Sequence, residues 1–341
     1  MTGHRIQISA PGSAAYECAP GDTILASALR SGLAFPYECN SGGCGSCQFE
    51  LLEGEVDDLW PDAPGISERQ RGRGRRLGCQ SVPCGDITIK VALAPSEAEL
   101  TAPAVRDLTF AGRRDLTADM AEITFTADRA AEFLPGQFAM LQLPGIDGPR
   151  AYSMSNTANP QGEWRFIVKR VPGGKGTAFL FDDLQPGTVI RSDGPFGKGY
   201  LRTDNPREIV CIAGGSGLSP IMSILNGVAE DPALVGRRVH LFYGARGPAD
   251  ACVEGLLAEV PGLRERVELH VAISDDAAPG ASEWTGARGM IHEVARQALG
   301  EACADYEYYF CGPPPMTDAV HRMLLLEAKV PASQLHFDRF Y

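Results

Sequence analysis

The sequence predicts three domains in series: a small α+β domain, an antiparallel β-barrel and an α/β domain built on a parallel sheet. Three observations lead to this fold class. The first part of the chain alternates like short strands around one helix-like segment, the middle carries regularly spaced strands between prolines and glycines, and the last part alternates apolar strands with helices. With 341 residues the chain can hold three cores, and we place the domains at residues 1–96, 104–204 and 205–341.

The composition is that of a globular protein. Hydrophobic residues make up 44% of the chain and charged residues 22%, which argues against disordered and fibrous classes. A formal net charge of −12 disfavours a nucleic-acid partner, because phosphate binding requires a basic surface. No apolar run is long enough to cross a bilayer and the start does not resemble a signal peptide, so we expect a cytoplasmic protein without a membrane span.

The first domain is predicted to combine four short strands with one helix. Apolar residues between positions 24 and 29 recur at helical spacing, and Asp22 or Thr23 can cap this helix. The cysteine-bearing loop that follows should lie near the surface, where electrons can leave the domain. The predicted strands are residues 5–9, 16–18, 48–52 and 86–91.

Four cysteines in this domain have the spacing of a plant-type [2Fe-2S] site. Cys39, Cys44 and Cys47 give Cys-x4-Cys-x2-Cys within a glycine-rich loop, and Cys79 follows at a distance. Such a loop can curl around a small cluster and turn its N–H groups toward sulfur, because its glycines tolerate positive φ. A zinc site is the main rival, although zinc usually takes its thiolates as two close pairs. A disulfide framework fits less well, since no secretory signal is evident.

The second domain begins after a segment, residues 95–104, that lacks periodicity and is rich in Ala, Glu and Pro. We interpret this segment as a linker. Beyond it, short strands separated by proline and glycine turns predict a small antiparallel barrel. Three of these strands are predicted at residues 121–126, 137–143 and 164–169.

Two stretches of the barrel carry residues suited to binding. Residues 150–153, Arg-Ala-Tyr-Ser, offer a cation, an aromatic ring and a hydroxyl, although such a tetrapeptide alone is usually a strand edge. Residues 173–177, Gly-Gly-Lys-Gly-Thr, can approach a pyrophosphate closely, and a helix-like segment at 178–180 would present its N-terminus to that anion. A hairpin turn is the simpler interpretation of the glycines taken alone.

The third domain is predicted to be an open parallel sheet with a ligand at the carboxyl ends of its strands. The apolar strand 208–213 runs into Gly-Gly-Ser-Gly, and Ser219 with Pro220 is typical of an N-cap followed by the first helical residue. The dinucleotide fingerprint is incomplete, because Pro220 replaces its third glycine and no acidic residue closes the second strand. Further strands are predicted at residues 238–244, 266–273 and 305–312.

Taken together and in this order, these motifs resemble the ferredoxin–NADP reductase superfamily with a fused plant-type ferredoxin domain. Residues 311–316, Cys-Gly-Pro-Pro-Pro-Met, complete the set. More narrowly, the chain is similar to the NADH reductase components of toluene monooxygenases, of the toluene 4-monooxygenase type, over essentially its whole length. The stretches that carry this likeness are residues 35–44, 50–56, 59–65 and 336–341.

The resemblance implies a β-grasp ferredoxin domain, a FAD-binding barrel and an NAD-binding α/β domain. It assigns Cys39, Cys44, Cys47 and Cys79 to the cluster. In the barrel it implies that Arg150 meets the FAD pyrophosphate, Tyr152 packs on the flavin and Ser153 hydrogen-bonds near the reactive nitrogen of the flavin. It also implies that Gly174, Gly176 and Thr177 line the pyrophosphate.

For the nucleotide, the resemblance implies that Gly214, Gly215 and Gly217 admit the nicotinamide dinucleotide. Cys311 would lie beside the nicotinamide, which makes Ser153 and Cys311 the expected catalytic residues; a buried strand-end cysteine is the simpler alternative for Cys311. Phe340 or Tyr341 would shield the flavin ring, and the sequence does not choose between them.

The expected function is an electron relay. NADH delivers two electrons together and a [2Fe-2S] cluster accepts one, so FAD stands between them. The resemblance implies a Rieske-type ferredoxin or a hydroxylase of an aromatic-hydrocarbon monooxygenase as acceptor, and we expect a monomer. Reductases of aromatic-ring dioxygenases, phenol-type hydroxylases and deoxysugar dehydratases are the alternatives, and an iron–sulfur sensing module is a different class.

Two further expectations concern specificity. We expect NADH rather than NADPH, although Arg246 follows the second strand of the third domain, where a cation could meet a 2′-phosphate. We expect no hydroxylase site in the chain itself, because the six histidines are scattered and no carboxylate–histidine set has di-iron spacing. The hydrocarbon substrate would therefore bind to a partner.

Overall fold

A computed structural model describes residues 3–9, 14–94 and 100–338. The described residues form three large sheets that follow one another along the chain, together with a two-stranded sheet in the first part. Each large sheet belongs to one of the three predicted kinds of domain. The predicted fold class is therefore confirmed.

The first domain is a five-stranded mixed sheet crossed by a short helix. Its elements are β1 (His4–Ile8), β2 (Ala15–Cys18), α1 (Ile24–Arg30), β3 (Gln48–Glu53), β4 (Val56–Asp58), α2 (Glu68–Arg71), β5 (Arg75–Leu77), β6 (Ser81–Pro83) and β7 (Ile87–Lys90). The strand order is β2-β1-β7-β3-β5, in which β1 and β7 are parallel, and β4 pairs with β6 separately. Of the two candidate caps of α1, Thr23 takes the position and accepts a hydrogen bond from the backbone N–H of Ala26.

The second domain is an antiparallel barrel. Its elements are β8 (Ala104–Asp115), β9 (Met120–Thr126), β10 (Phe138–Gln142), β11 (Arg150–Ser153), β12 (Glu163–Lys169), α3 (Lys175–Ala178), which continues as a π-helical turn at Phe179–Asp183, and β13 (Val189–Phe196). The order is β11-β10-β13-β8-β9-β12. A bridge between Met154 and Phe166 joins the two ends of this order and closes the barrel.

The strand β8 was not predicted, and it bears on the linker. It begins at Ala104, the last residue of the expected linker, and extends for 12 residues. Its alternation is hard to recognise in the sequence because Leu108 is the single buried residue among the twelve, so no row of apolar positions marks the strand. Residues 95–99 of the expected linker lie outside the described residues.

The third domain is a six-stranded parallel sheet. Its elements are β14 (Glu208–Gly214), α4 (Leu218–Glu230), β15 (Val239–Ala245), α5 (Val253–Ala258), β16 (Val267–Ile273), β17 (Ala287–Arg288), α6 (Ile291–Leu299), β18 (Tyr306–Cys311), α7 (Pro314–Arg322), which continues as a π-helical turn at Met323–Glu327, and β19 (Leu335–His336). The order is β17-β16-β15-β14-β18-β19. The direction of winding reverses between β14 and β18, and such a switch point is where open α/β sheets bind ligands.

One local prediction at this switch point is wrong. Ser219 is not the N-cap of α4, because a 3₁₀ turn at Gly215–Gly217 runs directly into the helix and makes Gly217 the cap. Ser219 instead lies in the first turn, where its buried hydroxyl donates to the carbonyl of Ser153 at 2.7 Å and accepts from the N–H of Ile167 at 2.9 Å. This side chain therefore fastens the third domain to the barrel.

The first domain packs against the barrel. Phe138, Met140 and Phe196 of the barrel join the buried cluster that contains Cys47 and Cys79. Two polar contacts cross the same boundary: the backbone N–H of Gly197 donates to the Tyr37 hydroxyl at 3.1 Å, and Arg30 pairs with Asp193 at 2.6 Å. Within the described ranges, no helix combines the length and apolar character needed to cross a membrane.

Candidate functional site

The four cysteines predicted to bind the cluster converge. The sulfur atoms of Cys47 and Cys79 lie 3.3 Å apart although 32 positions separate them in the chain. Around Cys39 the backbone N–H groups of Ser41 and Cys44 each point at its sulfur at 3.4 Å. The loop thus turns its N–H groups toward sulfur, as the spacing predicts.

Each close pair of sulfurs joins one group that ionises readily to one that keeps its proton. A hydrogen bond from the Cys44 thiol lowers the pKa of Cys39 to about 5, and one from Cys79 lowers the pKa of Cys47. The donors Cys44 and Cys79 have raised pKa values, because they share the proton with a neighbouring sulfur and are largely buried. Thiolate is the form that binds iron. Four sulfurs from one loop and one distant position, three of them buried, fit a [2Fe-2S] cluster by the chemistry of the donor set.

Glycine is required at two places in the loop. Gly42 has φ +88° and Gly45 has φ +77°, a backbone conformation that other residues rarely adopt. A Cβ at Gly45 would lie only 2.5 Å from the carbonyl oxygen of Gly65. The loop therefore closes tightly against the segment that follows β4.

The Arg-Ala-Tyr-Ser stretch forms β11, at one end of the barrel's strand order. The exposed Arg150 guanidinium is oriented by three carbonyls of the preceding turn, at 2.9 to 3.2 Å. Tyr152 packs edge-on against Phe166, and burial raises the pKa of its phenol to about 12. A neutral ring beside a fixed cation suits the flavin and phosphate ends of a dinucleotide.

The glycine loop after β12 lies against these residues. A Cβ on Gly176 would lie 3.5 Å from the Tyr152 hydroxyl and 3.7 Å from Arg150. Thr177 stabilises the loop, since its hydroxyl donates to the carbonyl of Gly174 and accepts from the N–H of Val171. The helix here begins at Lys175, earlier than the predicted 178–180, and Gly174 caps it without a side chain. One cradle that fits a pyrophosphate is thus formed by the start of α3, by Gly174 and Gly176, and by Arg150.

At the switch point of the third domain, Gly217 is the glycine of the turn that lies closest to the backbone of a neighbouring strand. A Cβ there would lie 2.1 Å from the carbonyl oxygen of Cys311, and one on Gly214 would lie 2.6 Å from the sulfur of Met316. Gly215, between them, has φ +55°. The turn after β14 therefore fits against the end of β18 only with glycine, which leaves backbone surface at the mouth of the crevice.

Ser153 and Cys311 line one narrow cleft, although they come from different domains. Pro220 and the chain end at His336, Phe337 and Asp338 complete its walls. Burial raises the pKa of the Cys311 thiol to about 12, so this thiol is uncharged at neutral pH. A neutral donor and a hydroxyl at the junction of a flavin-type and a nucleotide-type domain fit a hydride-transfer site.

Asp338 is a cleft residue that the sequence analysis did not single out. Its carboxylate is buried and accepts a hydrogen bond from the N–H of Lys198 at 3.3 Å. Burial raises its pKa to about 7, the nearby charges of Glu38 and Cys39 add to this, and the N–H groups of residues 198 and 199 oppose it. No local sequence signal marks it, because its importance comes from the fold bringing the chain end to Gly197 and Gly199.

Other predicted residues are placed as follows. Phe340 and Tyr341 lie outside the described residues. Phe337 stacks on Phe310 with ring centroids 4.4 Å apart. Arg246 is exposed directly after β15, at the carboxyl end of the sheet.

In the part of the chain that the structure describes, one further group of metal-binding residue types meets. Glu268 pairs with His240 at 3.3 Å and with His270 at 3.1 Å on neighbouring strands. One carboxylate and two imidazoles fall short of the several carboxylates of a di-iron hydroxylase site. The Glu268 carboxylate thus lies between two imidazoles, and burial lowers the pKa of His240, which favours its uncharged form.

Family models match each of the three domains. Residues 9–84 match a 2Fe-2S iron-sulfur cluster binding domain, residues 107–200 an oxidoreductase FAD-binding domain, and residues 211–322 an oxidoreductase NAD-binding domain. The cofactors expected from the sequence, [2Fe-2S], FAD and NADH, correspond to these three domains.

Similar proteins share the whole arrangement. The ferredoxin–NAD(P)(+) reductase CarAd of Metapseudomonas resinovorans is 41% identical over 98% of this chain and 99% of its own length. The xylene/toluene monooxygenase electron transfer component XylA of Pseudomonas putida is 35% identical over 94% of this chain and 89% of its own. A solved structure titled ferredoxin reductase in carbazole 1,9a-dioxygenase superimposes with a TM-score of 0.87, at 37% identity, over 99% of this chain and 98% of that one. The chain therefore belongs to the ferredoxin–NAD(P)⁺ reductase family in which a 2Fe-2S domain precedes the FAD-binding and NAD-binding domains.

Proposed function

We propose that this flavin and iron–sulfur oxidoreductase is the reductase of an aromatic-hydrocarbon monooxygenase system. It oxidises NADH and passes single electrons to a Rieske-type ferredoxin or a hydroxylase. One observation carries the proposal: a single chain contains, packed together, a four-sulfur loop, a dinucleotide cradle and a cleft shared by Ser153 and Cys311. The similarity to a xylene/toluene monooxygenase component over nearly the whole chain supports the choice of pathway.

The residues have distinct roles in this proposal. FAD, when bound, supplies the conversion of a two-electron hydride into single electrons that a cluster can carry. Arg150 would hold the pyrophosphate of FAD together with the backbone of Gly174, Gly176 and Thr177. Tyr152 would support the flavin ring. Four cysteines would ligate the cluster, namely Cys39, Cys44, Cys47 and Cys79, in a first domain that occupies about residues 1–96.

In the cleft, Ser153 and Cys311 would orient a bound nicotinamide. The Ser153 carbonyl is fixed by the Ser219 hydroxyl at 2.7 Å, so the strand end stays close to the third domain. The neutral Cys311 thiol would place no negative charge beside the nucleotide. The close fit of Gly217 against Cys311 holds the turn after β14 in place, and this turn would help to position the nucleotide.

The Tyr37 contact links the two redox regions. This ring lies two residues before Cys39, and its hydroxyl accepts the N–H of Gly197, beside which Asp338 lies. The cluster loop is thereby docked on the barrel near the cleft. We propose that electrons leave the flavin toward this side of the barrel and that the protein works as a cytoplasmic monomer.

A second candidate is the reductase of an aromatic-ring dioxygenase system. It is favoured by the likeness to the reductase structure titled for carbazole 1,9a-dioxygenase. Both candidates use the same relay and differ only in the acceptor. Neither the cluster loop nor the cleft distinguishes them, so the acceptor has to be captured.

The deciding experiment is capture of the native acceptor. The NADH-reduced holoprotein is crosslinked anaerobically in lysate of its own host, and the attached proteins are identified by mass spectrometry. A di-iron hydroxylase, captured directly or together with a Rieske ferredoxin, supports the monooxygenase proposal. A ring-hydroxylating dioxygenase or a sugar-modifying enzyme contradicts it while keeping the relay, and a holoprotein that does not oxidise NADH contradicts the relay itself.

Nucleotide choice has its own measurement. We propose NADH as donor, and exposed Arg246, directly after β15, is a cation that could instead hold a 2′-phosphate. We expect kcat/KM to favour NADH over NADPH, with Arg246→Ala changing the NADPH value more than the NADH value. A clear NADPH preference of the unaltered protein contradicts this assignment.

A further inference from the structure

An unusual concentration of arginine lies next in sequence to Cys79, the fourth predicted cluster ligand. Between residues 66 and 80 the sequence carries five arginines and a single acid, Glu68, in a chain whose formal net charge is −12. The stretch includes α2 and the edge strand β5, which leads directly to Cys79. The positive charge is therefore local and lies on the domain from which electrons leave.

The five arginines divide into two that build the structure and three that do not. Arg71 donates to the carbonyl of Ala63 at 3.1 Å, and Arg76 pairs with Asp58 at 3.6 Å while donating to the carbonyl of Arg71. Arg69, Arg73 and Arg75 are exposed, and the described residues provide no acid as an ion-pair partner for any of them. Their charges are thus available to another molecule.

This surface is attached to the cluster loop through a short chain of contacts. Gly65 donates its N–H to the carbonyl of Gly42 in the loop at 2.9 Å. The side chain of Gln48, next to Cys47, joins Gly65 and Gln70 of α2 at 3.0 Å each. Helix and loop consequently form one rigid unit, so a partner bound to the arginines would be held near the cluster.

Two exposed apolar side chains lie on the segment before α2, where Ala63 accepts from Arg71 and donates its N–H to the carbonyl of Trp60 at 3.1 Å. Leu59 is 58% exposed and Trp60 is 44% exposed, and the Trp60 ring lies over Gly42, with Cε3 only 3.1 Å from where a Cβ would stand. Exposed tryptophan and arginine are the residue types most enriched in protein interfaces. We call Leu59, Trp60, Arg69, Arg73 and Arg75 the arginine face.

We propose that the arginine face is the docking surface for the electron acceptor, and that this acceptor presents an acidic patch. The inference rests on the proposed electron-relay function and adds the place and the charge of the partner. Charge complementarity selects the occupant of this surface. The three cations without an ion-pair partner attract an acidic protein, whereas the rest of this strongly acidic chain repels such a protein. Small, transient interfaces of this kind are typical of electron-transfer partners.

The test compares two triple variants with the same net charge. Arg69→Gln/Arg73→Gln/Arg75→Gln removes the arginine face. Arg129→Gln/Arg238→Gln/Arg322→Gln removes three equally exposed arginines of the other domains, each already beside an acid. The probes are two haem proteins of opposite charge, acidic cytochrome b5 and basic cytochrome c, reduced by NADH through the holoprotein.

At low salt we expect the arginine-face variant to lower kcat/KM for cytochrome b5 by about tenfold and to raise that for cytochrome c, with both effects lost at high salt. The control variant should leave both values within about twofold of the original, since its arginines belong to the other two domains and each is already beside an acid. The acceptor captured from the host, once purified, should behave like cytochrome b5.

The readouts separate this inference from the function on which it rests. If NADH bleaches the flavin and cluster absorbance in every variant but the two triple variants act alike, the docking surface is wrong and the relay stands. If NADH does not reduce the cluster of the unaltered protein, the relay itself fails. If the arginine-face variant instead loses binding to anionic phospholipid vesicles while cytochrome b5 kinetics stay unchanged, the face belongs to a lipid surface and the proposal is overturned.

Discussion

The candidate cluster loop and the cleft shared by Ser153 and Cys311 are built in opposite ways. Three of the four cysteine ligands proposed for the cluster lie within nine residues, and local glycines set the curvature of the loop. The cleft is assembled from Ser153, Cys311 and the chain end at Asp338, which the fold brings together from two domains. The loop is therefore specified by spacing, and the cleft by strand order.

The difference predicts how each region fails when altered. A ligand of the loop has no substitute, so its loss should remove one cofactor and leave the other domains intact. A residue of the cleft acts by position, so its change should alter rates and stability by degrees. The three predictions that follow test this contrast.

The largest effect is expected for Cys44→Ser. A hydroxyl replaces one of four thiolates, so the cluster should be lost or unstable and NADH-driven cytochrome c reduction should fall by on the order of 100-fold. Reduction of ferricyanide directly from the flavin should be retained, because the cleft is elsewhere.

The matched control for that variant is Cys84→Ser, since Cys84 is exposed and five residues beyond Cys79. It should keep the visible spectrum of the cluster and the full rate. Unchanged cytochrome c reduction by Cys44→Ser would contradict the order of the relay.

A smaller effect is expected for Gly217→Ala. The added methyl group would stand 2.1 Å from the carbonyl oxygen of Cys311, so the turn after β14 has to shift. A displacement of this size costs about 100-fold in kcat/KM for NADH, and overpacking costs about 1–3 kcal/mol of stability. Stopped-flow flavin reduction and thermal unfolding measure the two effects.

Gly255→Ala is the control within the same domain. No atom lies within 4 Å of its added methyl group, and the position is inside α5. Alanine favours a helix by about 1 kcal/mol over glycine, so stability should rise slightly and kinetics should not change. Equal losses in the two variants would show that glycine is not needed for contact at the switch point.

The sequence was informative where a motif is local. The cysteine spacing, the barrel strands and the parallel-sheet strands follow from residue patterns within ten or so positions. The 12-residue strand β8 was missed, because it buries a single residue, Leu108, and so shows no row of apolar positions. Ser219 was misassigned as a cap because the 3₁₀ turn before α4, which a Ser-Pro pattern does not reveal, lets Gly217 take that position.

The part that sequence could not supply is contact between distant segments. Ser219 bonds Ser153, 66 positions away, and Tyr37 bonds Gly197, 160 positions away. Asp338 shows the same limit, since its burial depends on β19 joining the edge of the sheet and carrying the chain end to the barrel. Such groups become visible only when the topology is known.

The smallest effect tests this last point through pH. Burial raises the pKa of Asp338 to about 7, so its carboxylate is more basic in the folded chain than in the unfolded one. The folded state then binds more protons than the unfolded state between about pH 4 and pH 7, and stability is lost as pH rises through that window.

Asp338→Asn removes the charge, although the amide accepts one fewer backbone hydrogen bond at every pH. The unfolding temperature of the variant should therefore rise relative to the original protein between pH 5 and pH 8, by the equivalent of a few kcal/mol at most. Exposed Asp128 provides the control, since Asp128→Asn should show no such trend. A difference between Asp338→Asn and the original that is constant across this range would mean that the carboxylate is ionised throughout, stabilised by the N–H groups of the loop, and that the cleft tolerates a full negative charge beside the cluster domain.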